Sequence, residues 1–322
     1  MPIGGARIAN PARTSAIANR PFATPTLIFQ GDAEVGTIEG VGDPHLFRSG
    51  AQWAILLGCG DDAGGIVNMY SATLTAGLNL DAAASSWTID TTKISPAAGV
   101  YNAFGFETPS LVSLGSVHRI YYTAVAGGGT PGTDEFTMSY LQLNGSTWED
   151  AGAAVLIGTA AYELWTDVSF VSECSVNWFN GRYHAFYTAG VNLITAYANS
   201  PDGITWGNKV QVFPLNNFLW SPCVYQVGKH WEMIIATVSI NTPSSGLYRL
   251  RSRTIEGGGQ WVDSHQIVSV QDSRWSSQYA YGATVGMLPN GNIAVYYTGR
   301  DNVGGAAKPN VLRTIIAPMK DF

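Results

Sequence analysis

Five stretches of this 322-residue chain share one plan: an apolar strand, a tight turn, and a second apolar strand. They are DPHLFRSGAQWAILLG from Asp43, ETPSLVSLGSVHRIYYTA from Glu107, ECSVNWFNGRYHAFYTAG from Glu173, WSPCVYQVGKHWEMIIAT from Trp220 and YGATVGMLPNGNIAVYYTG from Tyr281. The turns SLGS, FNGR, QVGK and PNGN each supply Gly or Asn where a hairpin needs positive φ. After each pair comes a variable loop, a third strand and a turn closing on tryptophan: Trp87, Trp148, Trp206 and Trp261. The period is longer than that of helical repeats and suits a four-stranded propeller blade.

The fifth repeat has two clear strands and a third, VLRTIIAP, before the sequence ends. PTLIFQG, at 25–31, reads as a fourth strand without a unit of its own. Pairing it with the last repeat would leave no sheet edge open there. The expected fold is therefore all-β: a single five-bladed β-propeller over 25–322, its last blade closed by an N-terminal strand, preceded by an extended arm over 1–24. Composition agrees, with 37 glycines, 46% apolar residues and only 12% charged ones. That is ample material for a core and argues against disorder.

In an up-and-down blade the entry to the first strand and the loop between second and third strands share one mouth of the central channel. Aligned on the hairpin glycines, Asp43, Glu107 and Glu173 fall at the first-strand entries of units one to three. Trp220 and the Tyr281–Ala283 region take those places in units four and five. Three acids at equivalent places, among 23 acidic residues in all, are expected to converge on one mouth. Close carboxylates repel, so one of them stays protonated near neutrality and can donate to a departing glycosidic oxygen, while another acts from the opposite face.

The same entry loops carry Tyr101, Phe104, Phe106, Trp165, Phe218, Trp220, Trp275, Tyr279 and Tyr281. Sugar rings stack on such faces, so Phe104, Trp165, Trp220, Tyr279 and Tyr281 are candidate substrate contacts, with core packing between blades as the other reading. His45, two residues beyond Asp43, is a pocket candidate or a hydrogen-bonded structural histidine. Asp167 is a substrate ligand or a loop cap, and Arg300 should reach the upper mouth to bind a hydroxyl or pair with an acid. Asp61 and Asp62 read as solvated, and Asp202 in SPDG as a turn residue.

A net charge of −6 offers no basic stripe for phosphates, which disfavours nucleic acid and leaves a weakly charged ligand such as a glycan. No apolar run reaches the length of a membrane span. The first residues lack the apolar stretch of a signal peptide, although a glycan substrate favours an extracellular or periplasmic setting. Cys59, Cys174 and Cys223 lack metal-ligand spacing and read as small buried hydrophobes, with one disulfide as the alternative.

The five units with acids at the first three entries, and Asp43 followed by Pro44, resemble glycoside hydrolase family 43 and, more distantly, family 32. The resemblance implies that Asp43 is a general base activating water and Glu173 the general acid. Glu107 would stand where that family has an aspartate that orients the acid and tunes its pKa. It implies an inverting hydrolase of pentose-containing glycans, of arabinan or xylan type. Glu173-Cys174 also matches the family 32 EC motif, which would imply a retaining fructan- or sucrose-directed enzyme; the WMNDPNG-like stretch of that family is absent. A non-catalytic glycan-binding propeller is the other class. No cofactor is expected and, without a histidine in the fifth unit, no metal.

Overall fold

A computed structural model describes residues 24–31, 38–61, 66–96, 99–127, 130, 132–213, 219–237, 244–256, 261–301 and 308–319. Most of the expected arm, Asp62 and Phe218 lie outside the described residues. Strand β1 (Thr26–Phe29) is followed by β2 (Ile38–Ser49), β3 (Gln52–Asp61), β4 (Val67–Leu74) and β5 (Trp87–Asp90). Next come β6 (Gly105–Leu114), β7 (Val117–Ala126), β8 (Glu135–Asn144) and β9 (Thr147–Asp150), then a small hairpin of β10 (Leu164–Trp165) and β11 (Val168–Ser169). The third unit is β12 (Val171–Phe179), β13 (Arg182–Ala189), β14 (Ile194–Ser200) and β15 (Gly207–Gln211). The fourth is β16 (Leu219–Val227), β17 (His230–Thr237), β18 (Gly246–Ser252) and β19 (Val262–Ser269), and the chain continues through β20 (Tyr279–Met287), β21 (Ile293–Arg300) and β22 (Pro309–Ile316).

The strands pair antiparallel in runs of four. β2–β5 and β6–β9 form two such runs, joined by one parallel bridge, Val67 to Gly105. β12–β15 and β16–β19 are separate sheets, and β20–β22 take β1 as fourth strand, Thr26 lying opposite Arg313. The first strands β2, β6, β12, β16 and β20 each touch the next, and β20 touches β2.

Alternation along the strands buries one set of side chains against each neighbouring unit. Among the described residues five large apolar clusters result, each between consecutive units, beside a small one of Val125, Phe136 and Phe170. Leu56 and Met69 meet Phe106 and Tyr122, Tyr121 meets Val176 and Tyr187, and Phe186 meets Met233. Ile234 meets Val295, and Tyr296 meets Ile55 and Phe29. The repeated tryptophans serve these joints: Trp87 packs edge-on to Tyr296 at 5.8 Å, Trp206 to Tyr121 at 5.9 Å and Trp261 to Phe186 at 5.7 Å. Each thus leans on the unit before its own.

No disulfide joins the cysteines; Cys59 and Cys174 are buried and Cys223 partly so. Asp202 accepts the Ile204 and Thr205 amides at 2.8 and 2.7 Å, as a turn residue should.

Candidate active site

The site is built on one backbone irregularity repeated five times. In every first strand the ladder to the second strand skips, so that two residues face one: Asp43-Pro44, Thr108-Pro109, Glu173-Cys174, Ser221-Pro222 and Gly282-Ala283. These are β-bulges. The first residue of each is left-handed, with φ of 48°, 49°, 52°, 53° and 57° in that order. Three of the second residues are proline, which has no N–H for a bulge to leave unpaired.

Left-handed backbone costs a non-glycine residue ~1–2 kcal/mol. Hydrogen bonds between units offset it. Asp43 N–H donates to Thr298 Oγ1 at 2.7 Å, Glu173 N–H to Thr123 Oγ1 at 2.9 Å, Ser221 N–H to Thr188 Oγ1 at 2.8 Å and Gly282 N–H to Ser221 Oγ at 2.7 Å. Thr108 N–H donates to the Asp43 carboxylate and completes the cycle. Three residues past the first bulge residue, a second tier of N–H donors repeats the device. Leu46 N–H donates to Thr284 Oγ1 at 3.0 Å, Val176 N–H to Ser110 Oγ at 2.9 Å and Val224 N–H to Ser175 Oγ at 3.0 Å. The free inner edges of the sheets are satisfied in this way.

His45 belongs to this second tier. Its Nε2 accepts the Leu111 N–H at 3.0 Å, where other units use Ser or Thr, and burial pushes its pKa down to about 4. Burial keeps it neutral and its Nε2 is used between units, as in a hydrogen-bonded structural histidine, while the residue also lines the cavity. A cavity of about 200 Å³ runs along the first strands, lined by Asp43 and Glu173 and, deeper, by His45, Ser110, Asn177 and Tyr225.

Asp43 and Glu173 are equivalent bulge residues, but Glu107 is not. It stands one residue earlier, in line with Gly42, Ser172, Trp220 and Tyr281, and Thr108 takes the bulge. The expected threefold equivalence is corrected to a pair plus one. The reason lies in the hairpins. The first left-handed turn residue is Gly50, Gly115, Asn180 or Gly228, seven residues past Asp43, Thr108, Glu173 and Ser221 respectively. Aligning the third unit on Gly181 instead of Asn180 shifts the register by one.

The three carboxyls nevertheless share one electrostatic neighbourhood, each half-buried. Burial pushes Asp43 up to about 6 against the pull of Arg300, the Thr108 N–H and the Thr298 hydroxyl. Glu107 rises to about 7 through burial and the Asp43 charge, with Arg300 again opposing. Glu173 is driven well above the usual range by burial, Asp43 and Glu107, resisted by the Thr188 hydroxyl and the Ser221 N–H. The Tyr281 phenol feels all three acids and Arg300, and burial above all keeps it neutral. Gly282 makes room for this group: a Cβ there would stand 3.0 Å from Asp43 Oδ1.

Trp220 and Tyr281 stack at 5.0 Å and 21° and pack against the apolar cluster between the fourth unit and the last. Arg300 lies opposite Tyr279 in the β20–β21 ladder. Phe104 is exposed at the entry to β6, and the other loop aromatics divide. Phe106 is fully buried against Tyr122, and Trp165 packs on Phe170 at 5.5 Å. Asp167 sits exposed in the β10–β11 turn. Trp165 is thus part of a packed cluster with Phe136 and Phe170, and neither it nor Asp167 lines the cavity. The threonines were not singled out from sequence, although YYTA, FYTA and YYTG repeat them at one position of the second strand. Among the described residues, no three His, Cys, Asp or Glu side chains gather as a metal site.

No protein-family model matches the chain, and no curated protein does. Solved structures do. A protein described as a glycoside hydrolase superposes with a TM-score of 0.69 at 16% identity, covering 92% of each chain. A thermostable family-43 glycoside hydrolase gives 0.63 at 11% identity, over 89% of this chain and 96% of that one. An exo-1,5-α-L-arabinanase from a bovine ruminal metagenomic library gives 0.57 at 15%, over 89% and 95%. At such identities the likeness is one of fold. The chain resembles the family-43 enzymes in architecture, and its fold is that of the propeller glycoside hydrolases.

Proposed function

We propose that the chain is a glycoside hydrolase cleaving pentose-containing glycans of arabinan or xylan type, on a five-bladed propeller spanning 25–322 whose last blade is completed by β1. One observation supports the reading: Asp43 and Glu173 line one cavity, and the charges of Asp43, Glu107 and Glu173 are coupled in buried surroundings, with Arg300 as the cation acting on the first two. A fold does not need such a cluster, because like charges out of water oppose folding.

Arg300 divides the labour. It favours the charged forms of Asp43 and Glu107, whereas Glu173 is dominated by burial and the neighbouring negative charges. The proton held by the cluster therefore rests on Glu173, which protonates the departing oxygen. Asp43, ionised above about 6, takes a proton from the attacking water. Glu107 stands one residue outside the bulge and tunes Glu173 through its charge. The Trp220–Tyr281 stack offers a flat face to a sugar ring.

The test is a panel of polysaccharides and aryl glycosides followed by NMR of the first-formed anomer. Inversion supports Asp43 as base, whereas retention would make it a nucleophile and favour the fructan-type route. Release of no sugar from any member, with glycan binding intact, would turn the site into a binding module.

A further inference from the structure

The three equivalent second-strand threonines have one duty in common. Thr123, Thr188 and Thr298 each accept the N–H of a neighbouring bulge, from Glu173, Ser221 and Asp43 respectively. They differ in where the hydroxyl proton goes. Thr123 shares it with Thr108 Oγ1 at 2.6 Å, and Thr298 points to Asp43 Oδ1 at a long 3.5 Å. Thr188 alone of the three sets it on a carboxylate at short range, donating to Glu173 Oε2 at 2.8 Å. The Ser221 N–H occupies one acceptor lobe of Thr188 Oγ1, and the single hydroxyl proton is directed to Glu173 Oε2. Thr188 is itself fully buried and held in the β12–β13 ladder opposite Ser172. Its hydroxyl is an anchored donor.

We infer that Thr188 is the positioning residue for Glu173, holding Oε2 against the sheet and leaving Oε1 as the oxygen that exchanges a proton with substrate. The inference rests on the proposed function for its kinetic meaning, but the contact itself is testable without a substrate. Facing the same carboxyl are Asp43, Glu107, Cys174 and the Tyr281 phenol. The Ser221 N–H also reaches this carboxyl, but of the side chains facing it Thr188 is the donor held at a fixed site.

The experiment follows the Glu173 side-chain carboxyl by 13C NMR in glutamate-labelled protein, assigned with E173Q. Thr188→Val keeps the shape and removes the donor. A charge-assisted bond of this kind stabilises the ionised form, so its loss should raise the Glu173 midpoint by roughly one pH unit. T188S restores the hydroxyl and should return the midpoint to the wild-type position. If T188V does not fold, T188A, with space for a water, replaces it in the same titration. An unmoved midpoint in the valine or alanine variant, or a T188S midpoint displaced like theirs, overturns the inference. On a substrate found by the panel, the basic limb of the kcat/KM profile should move upward with T188V. Absence of hydrolysis in the wild type would sink the function alone, because the NMR arm would still decide Thr188.

Discussion

Glu232 in the fourth unit and Glu173 in the third are both carboxylates largely withdrawn from water, and the chain treats them in opposite ways. Glu232 is fully buried and receives two Arg249 nitrogens at 2.7 Å, the Tyr225 hydroxyl at 2.6 Å and His230 Nε2 at 3.1 Å. Arg249 spends another N–H on Ala317 O at 2.7 Å, which ties the end of the last unit to this knot. Glu173 has a threonine hydroxyl and a backbone amide, with Asp43 and Glu107 as its charged company. A carboxylate kept for architecture is given its counter-charge. Glu173, which the proposed function assigns to chemistry, is left with like charges.

The sharpest break of that comparison is chemical. D43N and E173Q should each lower kcat by ~10²–10⁴-fold, measured as reducing-sugar or aryl-group release, while circular dichroism shows intact sheet. E232Q should do the reverse. Removing one partner of a buried pair leaves Arg249 uncompensated and should cost ~3–5 kcal/mol in denaturant unfolding, with activity per folded molecule retained. If E232Q abolished turnover without loss of stability, the division between the two clusters would fail.

A smaller effect separates them through pH. The folded pKa of Asp43, about 6 against an ordinary 3.8, and of Glu107, about 7 against 4.5, are both raised, so the native state holds protons that the unfolded chain has lost. Stability contributed by the protonated forms is present at low pH and lost as pH climbs through roughly 4 to 7. E107Q should flatten that decline and gain ~1 kcal/mol or more at pH 8. A thermal midpoint series across pH for both proteins reads this directly. Smaller still, W220A removes one leaf of the stack with Tyr281 and should raise KM roughly three- to tenfold with kcat little changed.

Much of this was legible in the residues. Gly and Asn at the hairpins marked five repeats, and the closing tryptophans marked the joints between units. Asp43, Glu107, Glu173 and Arg300 were legible as a group because strand entries and second-to-third-strand loops must share a side. The one-residue displacement of Glu107 was harder. A bulge leaves the apolar pattern on either side nearly unchanged, and Asn180 and Gly181 offer two plausible anchors, of which the asparagine is the equivalent one. The series Asp43-Pro-His-Leu, Thr108-Pro-Ser-Leu, Glu173-Cys-Ser-Val, Ser221-Pro-Cys-Val and Gly282-Ala-Thr-Val shows the register once the bulge is known. It also shows why His45 is structural: it fills a column of small hydrogen-bonding side chains. The loop aromatics were least legible, since an entry-loop ring such as Phe106 turns inward when an apolar neighbour like Tyr122 lies beneath it.

The claim under all of this is that burial, only partly opposed by Arg300 and hydrogen bonds, keeps the carboxyls of Asp43, Glu107 and Glu173 from ionising in the ordinary range. Carboxyl 13C titration of the wild-type protein addresses it most directly, with Asp43 and Glu107 assigned by D43N and E107Q. The expected result is midpoints near 6 and 7 for these two, with that of Glu173 raised well above the ordinary carboxylate range. Three independent midpoints in the ordinary range around 4 would contradict it.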